Sequence, residues 1–465
     1  MNFMKHQFSA LTSTLLLSSM LLGCSALVKT PYQMPEVITS KHFAYAQSTQ
    51  ADAYPDQWWT LFGDTHLNHL IEQVIQENNN LAIAGLTLQQ ARLKAGLAES
   101  QQGLRVNASS STGHRFMFED GSNQSQGVST NVGVSYELDL FGKLSHQTQS
   151  AQWEAQASAE DLQATAQALI ATTAKLYWQL AYLNDSKTNA EQSLAHSQQL
   201  NTLVNTQYKF GAVSGLETSQ AAQAVQSQMS NLNRIEQNLV ETRTALAVLL
   251  HIPVQQLKIA EPKKLPQTTL PTIAAGLPAT LLARRPDLQA AEFRLRKALE
   301  STNATRASYY PSISLTSNLG SSSTSLTELI KNPILTLGAN LSLPFLQYND
   351  MKRNISVSQL EYDKAILQYK QTLYQAFADV ENALSNQTQL ANQVQAQTDT
   401  LTLAERSEKL VLVQYKYGSV PLKTVLDQQE STRNTRLNLV NLKQSQYNAY
   451  VTLIQALGGR PIPPH

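Results

Sequence analysis

Residues 143–210 read KLSHQTQSAQWEAQASAEDLQATAQALIATTAKLYWQLAYLNDSKTNAEQSLAHSQQLNTLVNTQYKF, 68 positions without a glycine or a proline. At ~1.5 Å rise per residue, an unbroken helix of this length extends on the order of 100 Å, too long a rod for one compact domain to bury. Its apolar positions are sparse and tend to recur every seven residues, at Leu162, Leu169, Leu176 and Leu183, with alanine and glutamine filling much of the rest. That spacing predicts a coiled-coil seam rather than the broad stripe of a globular core helix. The run ends at Tyr208-Lys209-Phe210-Gly211-Ala212-Val213-Ser214-Gly215, where Gly211 can take the left-handed conformation that stops a helix. A second breaker-free stretch, Leu216 to Leu250, then turns back.

The same plan occurs twice, with a steady offset of 207 residues. Gln207-Tyr208-Lys209-Phe210-Gly211 recurs as Gln414-Tyr415-Lys416-Tyr417-Gly418, and the shift carries Leu81 onto Leu288 and Val106 onto Ile313. Asp350 to Tyr417 again lacks glycine and proline, with a seven-residue row at Ile366, Leu373, Val380, Gln387, Val394 and Leu401, and a return helix follows over 422–457. Shorter helical stretches, Leu81 to Gln102 and Asp287 to Tyr310, precede the strand region of each half. Each short helix plus its return helix nearly matches the long one in length, so the pair can stack end to end beside it.

Between the short and long helices the period changes to two. Leu104, Val106 and Ala108 alternate with Arg105, Asn107 and Ser109; Val128, Thr130, Val132, Val134, Tyr136 and Leu138 alternate with serines, Asn131, Gly133 and Glu137. In the second half Ile313, Leu315 and Leu319 oppose Ser314, Thr316 and Asn318, and Leu335, Leu337, Leu341 and Leu343 oppose Thr336, Asn340 and Ser342. These read as four strands of about 9 to 12 residues, long enough for a tilted strand to cross a bilayer. The connections, at Glu119-Asp120-Gly121-Ser122 and from Ser321 to Asn332, are polar. Four strands cannot close a membrane barrel, and open edges are not tolerated in lipid, so spanning strands require a barrel shared among copies by cyclic assembly.

Bulk composition excludes other classes. A net charge of +1 with 15% charged residues provides no basic surface for nucleic acid and no acidic tail. A hydrophobic content of 42%, heavy in alanine, with a negative mean hydropathy, fits extended helices better than several globular cores. Lys5 and His6 precede an apolar run from Phe8 to Leu22, shorter than the ~20 residues that span a bilayer and therefore a signal peptide, residues 1–23. It ends at Leu21-Leu22-Gly23-Cys24, the lipobox of a bacterial lipoprotein, with the chain's single cysteine as the lipid attachment point. Ser25, where an aspartate would signal inner-membrane retention, points to the outer membrane. With one cysteine there is no disulfide framework. Residues 24–80 then form a lipidated N-terminal segment and part of an equatorial belt, 81–251 the first repeat, 252–286 a proline-rich equatorial segment, 287–457 the second repeat and 458–465 a tail.

Several motifs in fixed order carry a family resemblance: the lipobox at Cys24; Trp58-Trp59 with Leu61-Phe62-Gly63-Asp64; Tyr136-Glu137-Leu138-Asp139-Leu140-Phe141-Gly142-Lys143; Arg284-Arg285-Pro286-Asp287-Leu288; Tyr310-Pro311-Ser312-Ile313; and the paired turns at Gly211 and Gly418. The chain resembles the outer membrane factor (TolC-like) efflux family, in its NodT-type lipoprotein branch. The resemblance implies a mixed α/β, mostly α fold with an internal two-fold repeat, in which a homotrimer forms a twelve-stranded barrel in the outer membrane of a Gram-negative bacterium. A twelve-helix coiled-coil tube would continue it into the periplasm, docking on an adaptor (membrane fusion) protein and a proton-driven inner-membrane pump. Gly211 and Gly418, at the helix ends furthest from the strands, mark the periplasmic tip.

The resemblance also places gate residues at that tip. Asp427 matches the family's constriction aspartate, and three copies would make a ring of carboxylates that attracts cations and repels itself on narrowing. Thr424 stands where some members carry a second aspartate, and Lys423 where others carry an apolar constriction residue. Tyr415 matches a latch tyrosine whose arginine partner is here Val420. Catalysis is not indicated: Gly142-Lys143 lacks the rest of a phosphate loop, no serine or cysteine has a nucleophile's setting, and His66 with His69 alone do not make a metal site. The expectation is a passive conduit for drugs and small molecules, with no cofactor beyond the lipid on Cys24. Protein or peptide secretion through the same conduit, and a purely structural coiled-coil lipoprotein, are the alternatives.

Overall fold

The computed structural model describes residues 29–38, 42–46, 55–116, 123–266, 270, 284–323 and 333–462. The signal peptide, Cys24 and both strand-connecting loops lie outside these residues. Seven α-helices and four strands follow one another among them: α1 Thr65–Glu77, α2 Asn79–Ser100, β1 Arg105–Phe116, β2 Asn123–Leu138, α3 Lys143–Lys209, α4 Gly215–Leu249, α5 Pro286–Ala307, β3 Ser312–Ser323, β4 Ile334–Ser342, α6 Tyr348–Lys416 and α7 Leu422–Leu457. The 207-residue shift carries the bounds of α2 onto α5 and of β1 onto β3. α5 begins one residue before the sequence-based start, because Pro286, with its φ already fixed near the helical value, suits a first helical turn.

The chain divides into two compact units, and these are not the two halves of the duplication. One unit takes in 86–160 and 288–372 with the N-terminal segment; the other takes in 38–85, 161–287 and 373–465. Each half contributes to both.

In the first unit the strands form one antiparallel sheet in the order β1-β2-β3-β4. Pairs such as Val132 with Leu319 join the hairpins of the two halves. One strand length and one strand end depart from the sequence expectation. β2 spans 16 residues, and β3 continues through Ser321, Ser322 and Ser323, which pair with Thr130, Ser129 and Val128. A Gly-Ser run has a loop's composition; ladder hydrogen bonds make it strand.

In the second unit the middle of α3 is enclosed on most of its surface. Ala166, Leu169, Ile170, Ala174, Tyr177, Trp178, Leu180 and Ala181 are all buried, so the narrow seam expected from the seven-residue spacing holds only towards the end of the helix, at Leu200 and Val204. The Trp-Trp motif supplies the covering. Phe62 packs against Trp178 at 5.2 Å and Tyr450 at 5.3 Å between ring centroids, with Trp58 and Trp59 buried beside it. Gly63 turns with φ 64°, and Asp64 caps α1 by accepting from the backbone N–H of His66 and Leu67. Burial first, and then the hydrogen bond to Asp64 at 2.8 Å, raise the Tyr177 phenol above its ordinary value.

The Arg-Arg-Pro-Asp motif closes the same unit. Arg285 donates to both carboxylate oxygens of Asp287, to Asp379 Oδ2 at 3.2 Å and to the carbonyl of Ala456 at 3.2 Å. Burial works against its charge, but the two aspartates outweigh it and raise the guanidinium pKa. Gly458, with φ 84°, lies so near that a Cβ there would meet Arg284 O at 2.5 Å. Phe43 joins Val380, Leu384, Leu453 and Leu457 in an apolar cluster.

Candidate functional site

The sheet is two-faced. Register places Val106, Ala108, Val132, Val134, Tyr136, Leu138, Ile313, Leu315, Leu319, Leu335, Leu337 and Leu341 on one side. Several of these are openly exposed, Leu337 at 74% and Val106 at 70%, which a water-soluble sheet could not afford. The other side presents Asn107, Ser109, Ser129, Asn131, Ser135, Ser314, Thr316, Asn318, Thr336 and Asn340. The Oδ1 atoms of Asn107 and Asn318 close over Gly133, where a Cβ would meet them at 2.4 and 2.6 Å. Both outer strands, β1 and β4, are sheet edges.

The sheet is anchored to α3 through the Glu137-to-Lys143 motif. Asp139 accepts from the N–H groups of Leu144 and Ser145 at 2.9 and 2.8 Å, satisfying the first turn of α3. Gly142 takes φ 77°, Lys143 pairs with Glu137, and Phe141 meets Tyr310 of the opposite half at 4.8 Å.

The helix tips belong to the second unit. Gly211 and Gly418 adopt φ 72° and 69°, each turning one helix into the next. Ser214 and Glu217 form a capping box at the start of α4. Leu200, Val204, Ala221, Leu422 and Val425 form one buried cluster, so the two tips are packed together. Tyr415, whose phenol is raised by burial and by the charge of Glu217, donates to Gln207 Oε1 at 2.9 Å. Tyr415 therefore bonds to the tip of the other repeat within its own chain, a partner that the comparison with Val420 did not suggest. Lys423, one turn earlier on α7, reaches Asp427 at 2.7 Å, and both side chains are about two-thirds exposed. Thr424 sits in the first turn of α7 with its N–H on Pro421 O. Beside them a cavity of about 430 Å³ opens between α3, α4 and α7, lined by His196, Gln223, Gln228, Asp427, Glu430 and Arg433.

Among the described residues no group of three or more His, Cys, Asp and Glu side chains could hold a metal, and no helix is long and apolar enough to cross a membrane. An exposed apolar sheet face remains as the membrane-seeking surface.

Comparison with known proteins gives the same reading. The profile of the outer membrane efflux protein family matches residues 70–250 and 277–459. The chain is 31% identical over 428 residues to the pyoverdine export outer membrane protein OpmQ of Pseudomonas putida, covering 89% of this chain and 90% of that protein. It is 27% identical over 449 residues to the cation efflux system protein CusC of Escherichia coli, covering 94% and 97%. A crystal structure of CusC superposes with a TM-score of 0.82 at 25% identity, covering 93% of this chain and 99% of that one. The open-state MtrE outer membrane channel of Neisseria gonorrhoeae gives 0.83 at 25% identity, covering 93% and 98%. Matched in both halves by one profile, and over nearly its whole length by channels of known structure, the chain belongs to the outer membrane efflux protein family and is an efflux channel of the Gram-negative outer membrane.

Proposed function

We propose that three copies of this chain assemble around a three-fold axis into one closed conduit, lipid-anchored at Cys24, that carries small molecules outward when an adaptor and an inner-membrane pump engage its helix tips. The observation that carries the reading is the open sheet: four strands, two free edges and an exposed apolar face. Lipid offers no hydrogen bonds to an edge, so β1 of one copy must pair with β4 of the next. Three sheets make a twelve-stranded barrel with leucine and valine outward and asparagine, serine and threonine towards the lumen, the arrangement of a water-filled membrane barrel. Relatives are described as exporters of pyoverdine and of cations, which supports small solutes as the cargo class. Energy enters through the pump, which we take to be proton-driven.

Purification in mild detergent, with mass from light scattering and conductance in planar bilayers, tests the assembly. The expected result is a trimer that forms water-filled channels. A monomer that conducts nothing would sink it.

A further inference from the structure

We propose that a cavity at the border between strands and helices in the sheet-bearing unit binds the headgroup of an anionic phospholipid from the periplasmic leaflet. The cavity measures about 540 Å³, room for a headgroup and glycerol rather than for a whole lipid. Two cations, Lys29 and Arg306, border it. Arg306 donates to Thr30 Oγ1 at 2.5 Å and to Gln359 Oε1 at 2.7 Å, both neutral acceptors. Among the described residues neither cation has a carboxylate partner, so their charge is open to a phosphate.

The remaining lining is largely apolar: Tyr310, Pro311, Phe345, Met351 and Ile355. Tyr310 and Phe345 are 40% and 43% exposed. Tyr309 adds a phenol that accepts from Asn354 Nδ2 at 2.6 Å. The strands fix the depth. Tyr310 and Pro311 directly precede β3, and Phe345 follows shortly after the end of β4. The cavity therefore lies where the exposed apolar band ends and the helices begin, the level at which hydrocarbon gives way to headgroups and barrels place aromatic girdles.

Cations over an apolar floor at that level match the junction of a lipid phosphate with its glycerol and acyl chains. A free phosphate would leave the floor uncovered. The acyl groups on Cys24 would leave both cations unanswered. The inference needs only the membrane placement of the strands and is independent of the copy number proposed above.

The test uses the full-length protein in mild detergent, with native mass spectrometry after adding dioleoyl phosphatidylglycerol or, separately, dioleoyl phosphatidylcholine. Wild type should retain phosphatidylglycerol about tenfold better, and Lys29→Gln with Arg306→Gln should lose about that factor while keeping its circular dichroism and assembly mass. Lys29→Arg with Arg306→Lys should preserve the preference. Phe345→Ala, which keeps both cations, should weaken retention of both lipids alike. Equal phosphatidylglycerol retention by wild type and the double glutamine variant overturns the proposal. So does cation-dependent uptake of inorganic phosphate without any lipid adduct, which marks a soluble-anion site. Adducts formed only by non-acylated Cys24→Ser protein mean that the chain's own lipid fills the cavity, and no adduct in either form means that a neighbouring copy covers it; both outcomes also overturn it.

Discussion

Asp64 performs two tasks with two oxygens: Oδ1 caps α1, and Oδ2 receives the phenol of Tyr177 at 2.8 Å. Asp64→Ala removes a cap worth ~1 kcal/mol and strands a buried phenol at a cost of about 1–3 kcal/mol. Its thermal midpoint should fall by several degrees, and Tyr177→Phe, which keeps the cap, should fall less. Alkali acts on the same core. Burial pushes the Tyr450 phenol up to about 12 and lifts Tyr177 as well, whereas an unfolded tyrosine titrates near ~10. A raised folded pKa contributes stability that is complete below the unfolded value and is lost as pH rises through the folded one. The midpoint should therefore carry the full contribution of these tyrosines near neutrality, with no pH dependence from them there, and decline from about pH 10 upward, with Tyr177→Phe blunting the decline. At the tip, the family resemblance singled out Asp427, and the four-residue spacing to Lys423 was the available sign of a charged neighbour on the same helix face. In planar bilayers under a salt gradient, Asp427→Asn should move the reversal potential towards anion preference and Lys423→Gln towards cation preference. The double variant should stay close to wild type; a cation preference lost in Asp427→Asn and unaffected by Lys423→Gln would restore the acidic-ring picture.

Elements were readable wherever one interaction dominates. A run without breakers makes a long helix, and alternation makes a strand, so α3, α6 and the apolar faces of the sheet follow from local pattern. Partner choice is different. Nothing in the Ser321-Ser322-Ser323 run announces that β2 will extend to meet it, and nothing in the spacing of Leu162 and Leu169 announces that aromatic side chains from 58–62 will cover the rest of that helix surface. The joining of the two tips is of this second kind: Val425 is 1% exposed inside a cluster drawn from α3, α4 and α7. Val425→Asn buries an amide there without a partner, a penalty of about 2–3 kcal/mol. Amide hydrogen exchange should quicken over 200–213 and 411–426 and stay unchanged in the sheet. Quickening throughout both units would mean that the tip cluster is not a local lock.

At the scale of the molecule the duplication is plain in the sequence, yet the compact units cut across it, because hydrogen bonds between β2 and β3 and apolar contact between the tips join like parts of unlike halves. The trimer proposed above makes sheet and assembly one cooperative event: a lone copy in lipid would face hydrocarbon with two bare edges. On heating in detergent, loss of the strand signal by infrared spectroscopy should coincide with loss of the trimer on gels, while helical signal persists longer. A dissociated chain that kept its strand signal would contradict this.

One consequence belongs to the polar face of the sheet. From the row of Asn107, Gly133, Asn318 and Thr336 to that of Ser111, Ser129 and Ser322, its side chains include no ionised group; Arg105, in the row of Ser135 and Thr316, and Glu137, one row further, stand nearer the helices. In the proposed trimer a travelling solute of either sign would meet a neutral lining along that stretch, with Arg105 and Glu137 placing charge at the end nearer the helices. A shift in what the cell expels can then arise through the tips or through the proteins that load the conduit, with this stretch of lining left as it is.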